Sequence, residues 1–278
     1  MYISGDTIIN YIKPLIYLNK SYYIRYIKNY TNNSHIIDID KPIINVQVNH
    51  VIFITKVEYL DIFYRNVLSK INNKFILITH YGDGEINSKN HQKIVDHPLL
   101  LKWYGQNMGI ISNKTEGLPI GLENSYWKRT NQSILNNCYN TQKNKLLYLN
   151  FSLKTNSKRI EIMSTLQTKG FTKNIRRNWD EYMKELSNYK FCISPPGNGF
   201  DCHRTWECLY AGVIPIVIYT KHFINFRDLP ILFVDNYNSI STDYLNTVYT
   251  EFKYKIFNMD KLTIEYWQQR IITGLSTH

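Results

Sequence analysis

Apolar, β-branched runs alternate with stretches of helical periodicity along most of this chain. Asn49 to Lys56 is strand-like, Glu58 to Ile71 places apolar residues at helical spacing, and Lys74 to His80 is strand-like again. These three segments predict one βαβ unit. The second strand runs into Tyr81-Gly82-Asp83-Gly84-Glu85, a glycine-bearing turn, and Leu99 to Asn107 and Gly117 to Asn124 read as further strand ends with loops. Between Asn131 and Lys145 the periodicity fades into Asn, Gln, Thr and Lys, which predicts an interdomain linker and a division near residue 144. The pattern then restarts: strand Lys145 to Phe151, polar turn Ser152 to Asn156, helix Ser157 to Gln167 stopped by Gly170, and helix Trp179 to Ser187. Strand Lys190 to Ser194, a Gly/Pro loop from Pro195 to Cys202, helix His203 to Ala211 with Gly212 behind it, and strand Val213 to Ile218 complete the series. The expectation is an α/β protein of two domains, 1–144 and 145–278, each with a parallel sheet, the last helix folding back on the first domain.

Composition changes this picture little. The 278 residues are 44% hydrophobic and 20% charged, and no apolar run approaches the roughly 18 residues of a membrane span. A start without a basic, apolar, small-residue signal predicts a cytoplasmic protein without stable membrane insertion. Cys138, Cys192, Cys202 and Cys208 lack zinc or redox spacing and read as reduced thiols. The net charge of +11 suits any polyanionic partner, though part of it reflects an Ile-, Asn-, Lys- and Tyr-rich composition of the AT-rich kind. Basic residues are scattered, densest at Lys154 to Arg159 and Lys173 to Arg177, and resemble no nucleic-acid-binding arm.

The chemistry concentrates between Ser194 and Glu207, where the predicted strand end passes through Pro195, Gly197, Asn198 and Gly199 into a helix. Open α/β sheets bind ligands at such ends, and a glycine loop before a helix N-terminus favours a diphosphate. Arg204 adds a permanent charge with a donor fork suited to phosphate oxygens. Glu207, three residues on, suits the two hydroxyls of a ribose, and His203 shares their helix face. The same residues also describe a tight turn with a surface ion pair, while Trp206 and Leu209 read as the core stripe of that helix.

The stretch from Tyr189 to Gly199, with Asp201 to Glu207 and Leu209 to Val217, resembles the signature of exostosin-like glycosyltransferases. Thr79 to Asp83, Trp103 to Asn107, Pro119 to Asn124 and Tyr148 to Ser152 extend the resemblance over about residues 75 to 235. A short AT-biased chain without an anchor is more similar to the versions encoded by large DNA viruses than to the Golgi-anchored ones. The resemblance implies two Rossmann-like domains facing across a cleft, the GT-B arrangement, and metal-independent inverting transfer, usually from a UDP-sugar, to a glycan acceptor. It implies Arg204 on the donor phosphates, Glu207 on the ribose and the Gly197-Asn198-Gly199 loop lining the donor pocket. Asn150, Ser152 and above all Arg159 form a second phosphate candidate, with a solvated basic helix start as the alternative. No cofactor beyond the nucleotide-sugar co-substrate is implied.

Inverting transfer needs a base for the acceptor hydroxyl. Asp83, in a glycine-flanked turn after a strand, is the first choice; Glu85 and Glu123 are rivals, and His80 suits a base or an acceptor contact. Asp38-Ile39-Asp40 matches the Asp-X-Asp pattern of metal-dependent transferases but also fits a strand end before Lys41-Pro42, and is read as structural. Trp103, Tyr104, Tyr126 and Trp127 suit stacking on an acceptor sugar, with burial the simpler explanation. A metal-dependent transferase built on Asp38 and Asp40, and a nucleotide- or carbohydrate-binding protein without catalysis, are the alternatives.

Overall fold

The structure, a computed structural model, describes residues 1–12, 16–19, 35–38, 50–124 and 131–276. Its strands run β1 (Ile16–Asn19), β2 (His35–Asp38), β3 (His50–Ile54), β4 (Phe75–Thr79), β5 (Leu100–Gly105), β6 (Thr115–Gly117), β7 (Lys145–Tyr148), β8 (Tyr189–Ile193), β9 (Ile214–Ile218) and β10 (Leu232–Val234). The helices are α1 (Gly5–Ile12), α2 (Leu60–Asn66), α3 (Lys89–Val95), α4 (Leu135–Tyr139), α5 (Lys158–Thr168), α6 (Trp179–Leu186), α7 (His203–Tyr210), α8 (Thr242–Lys253) and α9 (Ile264–Ser276). The protein is α/β and has two Rossmann-like units, Met1–Ile120 with Thr263–His278, and Gly121–Leu262.

The first unit holds a six-stranded, all-parallel sheet in the order β2-β1-β3-β4-β5-β6. Every residue of β4 is buried, the apolar run of a strand covered on both faces. Ile52, Ile54, Phe63, Phe75, Leu77 and Trp103 centre one core, while α9 packs on α1, β4 and β5. The predicted helix from Glu58 to Ile71 is α2 between two 3-10 turns, Val57–Tyr59 and Leu68–Lys70. Trp103 and Tyr104 are core residues: the Trp103 indole donates to Thr79 Oγ1 (3.0 Å) and the Tyr104 hydroxyl to the Arg270 carbonyl (3.3 Å). Tyr126 and Trp127 lie outside the described residues.

The second unit has a four-stranded parallel sheet in sequential order β7-β8-β9-β10 around a core of Leu149, Phe191, Ile193, Ile216 and Leu245. The polar run expected to link two domains contains α4 inside this unit, because Leu135 and Cys138, one turn apart, are both buried. A sparse pattern sufficed to form a helix there, and the division observed between Ile120 and Gly121 precedes it. Gly121 itself is left-handed (φ 67°).

Candidate functional site

A pocket of about 1380 Å³ opens in the second unit at the carboxyl ends of β7 and β8. Asn150, Phe151, Ser152 and Lys154 from the β7 end, Lys173 to Tyr182 from the lead-in and first turns of α6, and Cys202, His203, Arg204 and Glu207 from α7 line it. Six basic residues (Lys154, Arg159, Lys173, Arg176, Arg177, Arg204) face two acidic ones (Glu123, Glu207), an electrostatic balance that favours an anion. The two densest basic groups of the sequence therefore meet in one concavity.

Glu207 is buried, and each carboxylate oxygen accepts from α6: Oε1 from the Trp179 indole (2.8 Å) and Oε2 from the Tyr182 hydroxyl (3.0 Å). Burial and then the Glu207 charge push the Tyr182 phenol well above its ordinary value, so it remains a donor. Arg204 is half-buried with its guanidinium 5.5 Å from the centre of the Tyr182 ring. Burial opposes its charge, but Tyr182, Cys192 and Glu207 outweigh that and raise its pKa, keeping it cationic. The α7 N-terminus has Cys202 at its cap without a side-chain hydrogen bond. His203 Nδ1 lies 2.7 Å from the Gly121 carbonyl; a carbonyl only accepts, so Nδ1 carries the proton.

Arg159 also lines the pocket, but its guanidinium is tied down. Nε donates to the Pro196 carbonyl (2.8 Å), Nη1 to that of Ser152 (2.9 Å) and Nη2 to that of Pro195 (2.8 Å). This geometry makes Arg159 the staple between the β7 and β8 loops. A Cβ on Gly197 would sit 3.2 Å from Arg159 Nη2, which is why a glycine fits there. Ser194, Pro195, Gly197, Asn198 and Gly199 are not among the residues that line this pocket, although the resemblance implies that the glycine loop lines it. Ser194 Oγ and Thr205 Oγ1 lie 2.9 Å apart, Asn156 donates to the Gly197 carbonyl (3.0 Å), and the Gly197 amide to the Gly199 carbonyl (3.0 Å). Asn150 donates to the Ile175 carbonyl (3.0 Å) and the Ser152 hydroxyl accepts from the Lys154 amide (3.3 Å).

The base candidates are divided between the units. Asp83 and Glu85 belong to the first unit; Asp83 is exposed on the turn after β4, and Glu85 accepts from the Asn87 amide (2.6 Å). His80 is buried, its Nε2 donating to the Pro119 carbonyl (3.0 Å). Glu123 alone of the four lies in the described pocket of the second unit. Asp38 ends β2, Asp40 lies outside the described residues, and no group of three metal-ligating side chains forms among the described residues. No helix among them is long and apolar enough to cross a membrane.

No protein-family model matches the chain, and no curated protein matches it. Among solved structures, one described as "OtsA apo structure" is similar with a TM-score of 0.46 and 11% identity, over 83% of this chain and 73% of that one. Another, "Trehalose-6-phosphate from E. coli bound with UDP-2-fluoro glucose", has a TM-score of 0.45 and 12% identity, over 99% of this chain and 86% of that one. At these scores the likeness identifies neither donor nor reaction for this chain.

Several residues that set the site's geometry escape sequence reasoning. Trp179 and Tyr182, the partners of Glu207, look like the apolar stripe of an amphipathic helix. Asp201, which follows the glycine loop in sequence, is buried, accepting from the Trp206 indole (2.7 Å), with His222 Nε2 3.3 Å from its other oxygen. In the first unit, buried, left-handed Asn107 (φ 54°) donates to the Gly82 and Asp83 carbonyls (3.4 and 3.2 Å), fixing the turn that carries Asp83. Tyr81 before it is also left-handed (φ 68°), an uncommon conformation for so bulky a residue. Only the Asx character of Asn107 could have signalled any of this.

Proposed function

We propose that this protein is an inverting, metal-independent glycosyltransferase of the exostosin-like kind, moving a sugar from a UDP-sugar to a hydroxyl of a glycan acceptor. The observation that carries the proposal is the pairing of Arg204 and Glu207 at the start of α7, with Glu207 oriented by Trp179 and Tyr182 in a basic pocket at a sheet's carboxyl edge.

In this reaction the bond between the anomeric carbon and the diphosphate oxygen breaks as the acceptor oxygen bonds to that carbon from the opposite face. A base removes the acceptor proton and the nucleoside diphosphate leaves with the electron pair. Arg204 and the positive N-terminal end of α7 stabilise the charge that grows on the leaving diphosphate. The Glu207 carboxylate, with one lone pair of each oxygen used by α6, retains acceptor capacity for the two ribose hydroxyls. Arg159 supports the loops through its bonds to the Ser152, Pro195 and Pro196 carbonyls. Asp83 is the proposed base, held on a turn that Asn107 fixes, and Glu123 is its rival.

The test is thermal stabilisation of the protein by UDP and UDP-sugars, with and without EDTA, for wild type and Arg204→Ala. The expected result is a rise in Tm that EDTA does not remove and Arg204→Ala does. Absence of any shift with every nucleotide tried overturns the proposal; a shift that EDTA abolishes transfers it to a metal-dependent enzyme.

A further inference from the structure

Helix α8 ends in the run Phe252-Lys253-Tyr254-Lys255-Ile256-Phe257, in which lysines alternate with large apolar side chains. Tyr254 and Ile256 are 85% and 96% exposed, the two most exposed large hydrophobic residues among the described ones. The turn that presents them is held by its backbone. The Tyr254 amide donates to the Glu251 carbonyl (3.2 Å), the Lys255 amide to that of Phe252 (3.3 Å) and the Asn258 amide to that of Asp228 (2.9 Å). The rings of Phe252 and Phe257, at its two ends, meet with their centres 5.2 Å apart, and Phe252 packs on the core of the second unit. Two hydrophobic side chains are thus kept in water by a closed turn, an arrangement that contributes nothing to burial within the protein and marks a contact surface.

The charge around this turn indicates what it contacts. Lys253 and Lys255 are both exposed, and Glu251 is the only acidic residue between Leu245 and Phe257. Lys253 and Lys190 lie over the Tyr249 ring, 5.2 and 4.7 Å from its centre. Lys255 also lines a cavity of about 560 Å³ with Arg227, Tyr219, Phe233 and Tyr244, where Asp235 is the one acid among the lining residues. Apolar tips set among lysines match the interface of an anionic bilayer, where a phenol sits at headgroup depth, an aliphatic chain reaches the acyl boundary and ammonium groups stay with the lipid phosphates. Lysine is depleted at protein interfaces, and a nucleic acid offers stacking faces but no hydrocarbon layer for Ile256. We infer that the Phe252–Phe257 turn is a membrane-docking element by which the second unit rests reversibly on a bilayer containing anionic phospholipid, with a headgroup phosphate in the cavity of Lys255 and Arg227. This docking is independent of the reaction proposed above.

Co-sedimentation of the whole protein with vesicles of phosphatidylcholine alone, and of phosphatidylcholine mixed with phosphatidylserine, tests it. Wild type is expected to bind the mixed vesicles at least about tenfold more tightly than the neutral ones, and less tightly as salt rises. Lys253→Gln with Lys255→Gln weakens that binding about twenty-five-fold, at about fivefold for each lysine near an anionic surface. Tyr254→Ser with Ile256→Ser weakens it about tenfold or more through the lost apolar contact. Lys70→Gln with Lys74→Gln, two exposed lysines of the first unit, removes the same net charge and leaves binding within about twofold, because the attraction is local to the docking turn. Equal losses in this charge control, or unchanged binding in Tyr254→Ser with Ile256→Ser, overturns the inference. So does failure of wild type to bind the mixed vesicles at low salt. Binding of a single-stranded oligonucleotide in place of the vesicles, lost in the turn variants, also overturns it and assigns the turn to nucleic acid.

Discussion

Glu207 already accepts one hydrogen bond at each oxygen, so its orientation depends on two aromatic residues rather than on its own helix. Removing the Tyr182 hydroxyl leaves the ring under Arg204 and frees one oxygen of Glu207 to turn. Tyr182→Phe is therefore expected to weaken UDP about tenfold, the scale of one hydrogen bond to a charged group, while 2′-deoxy-UDP changes less, so the discrimination between the two narrows. Calorimetry with both ligands measures it, and parallel losses would mean that Glu207 does not read the ribose. Arg159 and Arg204 make the complementary comparison, since both are arginines in one pocket. Arg159 holds three carbonyls in three directions, which one ammonium does not reproduce, so Arg159→Lys is expected to cost about 2–3 kcal/mol of unfolding free energy. Urea unfolding of Arg159→Lys beside Arg204→Lys checks this: the first loses stability, the second mainly nucleotide affinity.

At the scale of elements, the period-2 and buried runs of β3, β4, β8 and β9 were legible because their apolar β-branched residues leave few alternatives. The start of α7 was legible through its Gly/Pro loop, and with it the placement of Arg204 and Glu207 together. What stayed hidden depends on tertiary partners. Helix α4 buries only two residues and lacks a periodic stripe, and Arg159 declares no difference between a staple and a phosphate ligand until the carbonyls around it are placed. Lys143 is another such case: its ammonium donates to the Ala211 carbonyl (2.7 Å) behind α7 and to that of Cys138 (3.2 Å) at the end of α4. Burial lowers its pKa to about 8 from an ordinary 10.5. The folded state thus binds fewer protons than the unfolded state between about pH 8 and 10.5, and Lys143 contributes increasing stability as pH rises through that window. The unfolding free energy of wild type relative to Lys143→Met is expected to grow over it, and amine labelling of Lys143 should show a midpoint near 8 while exposed lysines titrate near 10.

For the whole molecule, every residue proposed to hold the donor belongs to the second unit, whereas Asp83 belongs to the first. Donor binding and proton removal are then separable functions of separate parts of the chain, and mutation should divide them. Asp83→Asn is expected to leave the UDP dissociation constant within about twofold of wild type, since no proposed donor contact is altered. Release of UDP from a UDP-sugar in the presence of acceptor should fall by roughly two to four orders of magnitude, the usual contribution of a general base. Glu123→Gln is the necessary companion, because Glu123 shares the pocket with Arg204 and Glu207 and its loss in the rival mechanism would have the same kinetic effect. If Glu123→Gln abolishes turnover while Asp83→Asn does not, the base lies in the second unit, and the Asn107-fixed turn of the first serves to shape the acceptor side. If Asp83→Asn weakens UDP as much as it slows turnover, the division of labour between the units is wrong, because a residue outside the pocket would then be contributing to donor affinity.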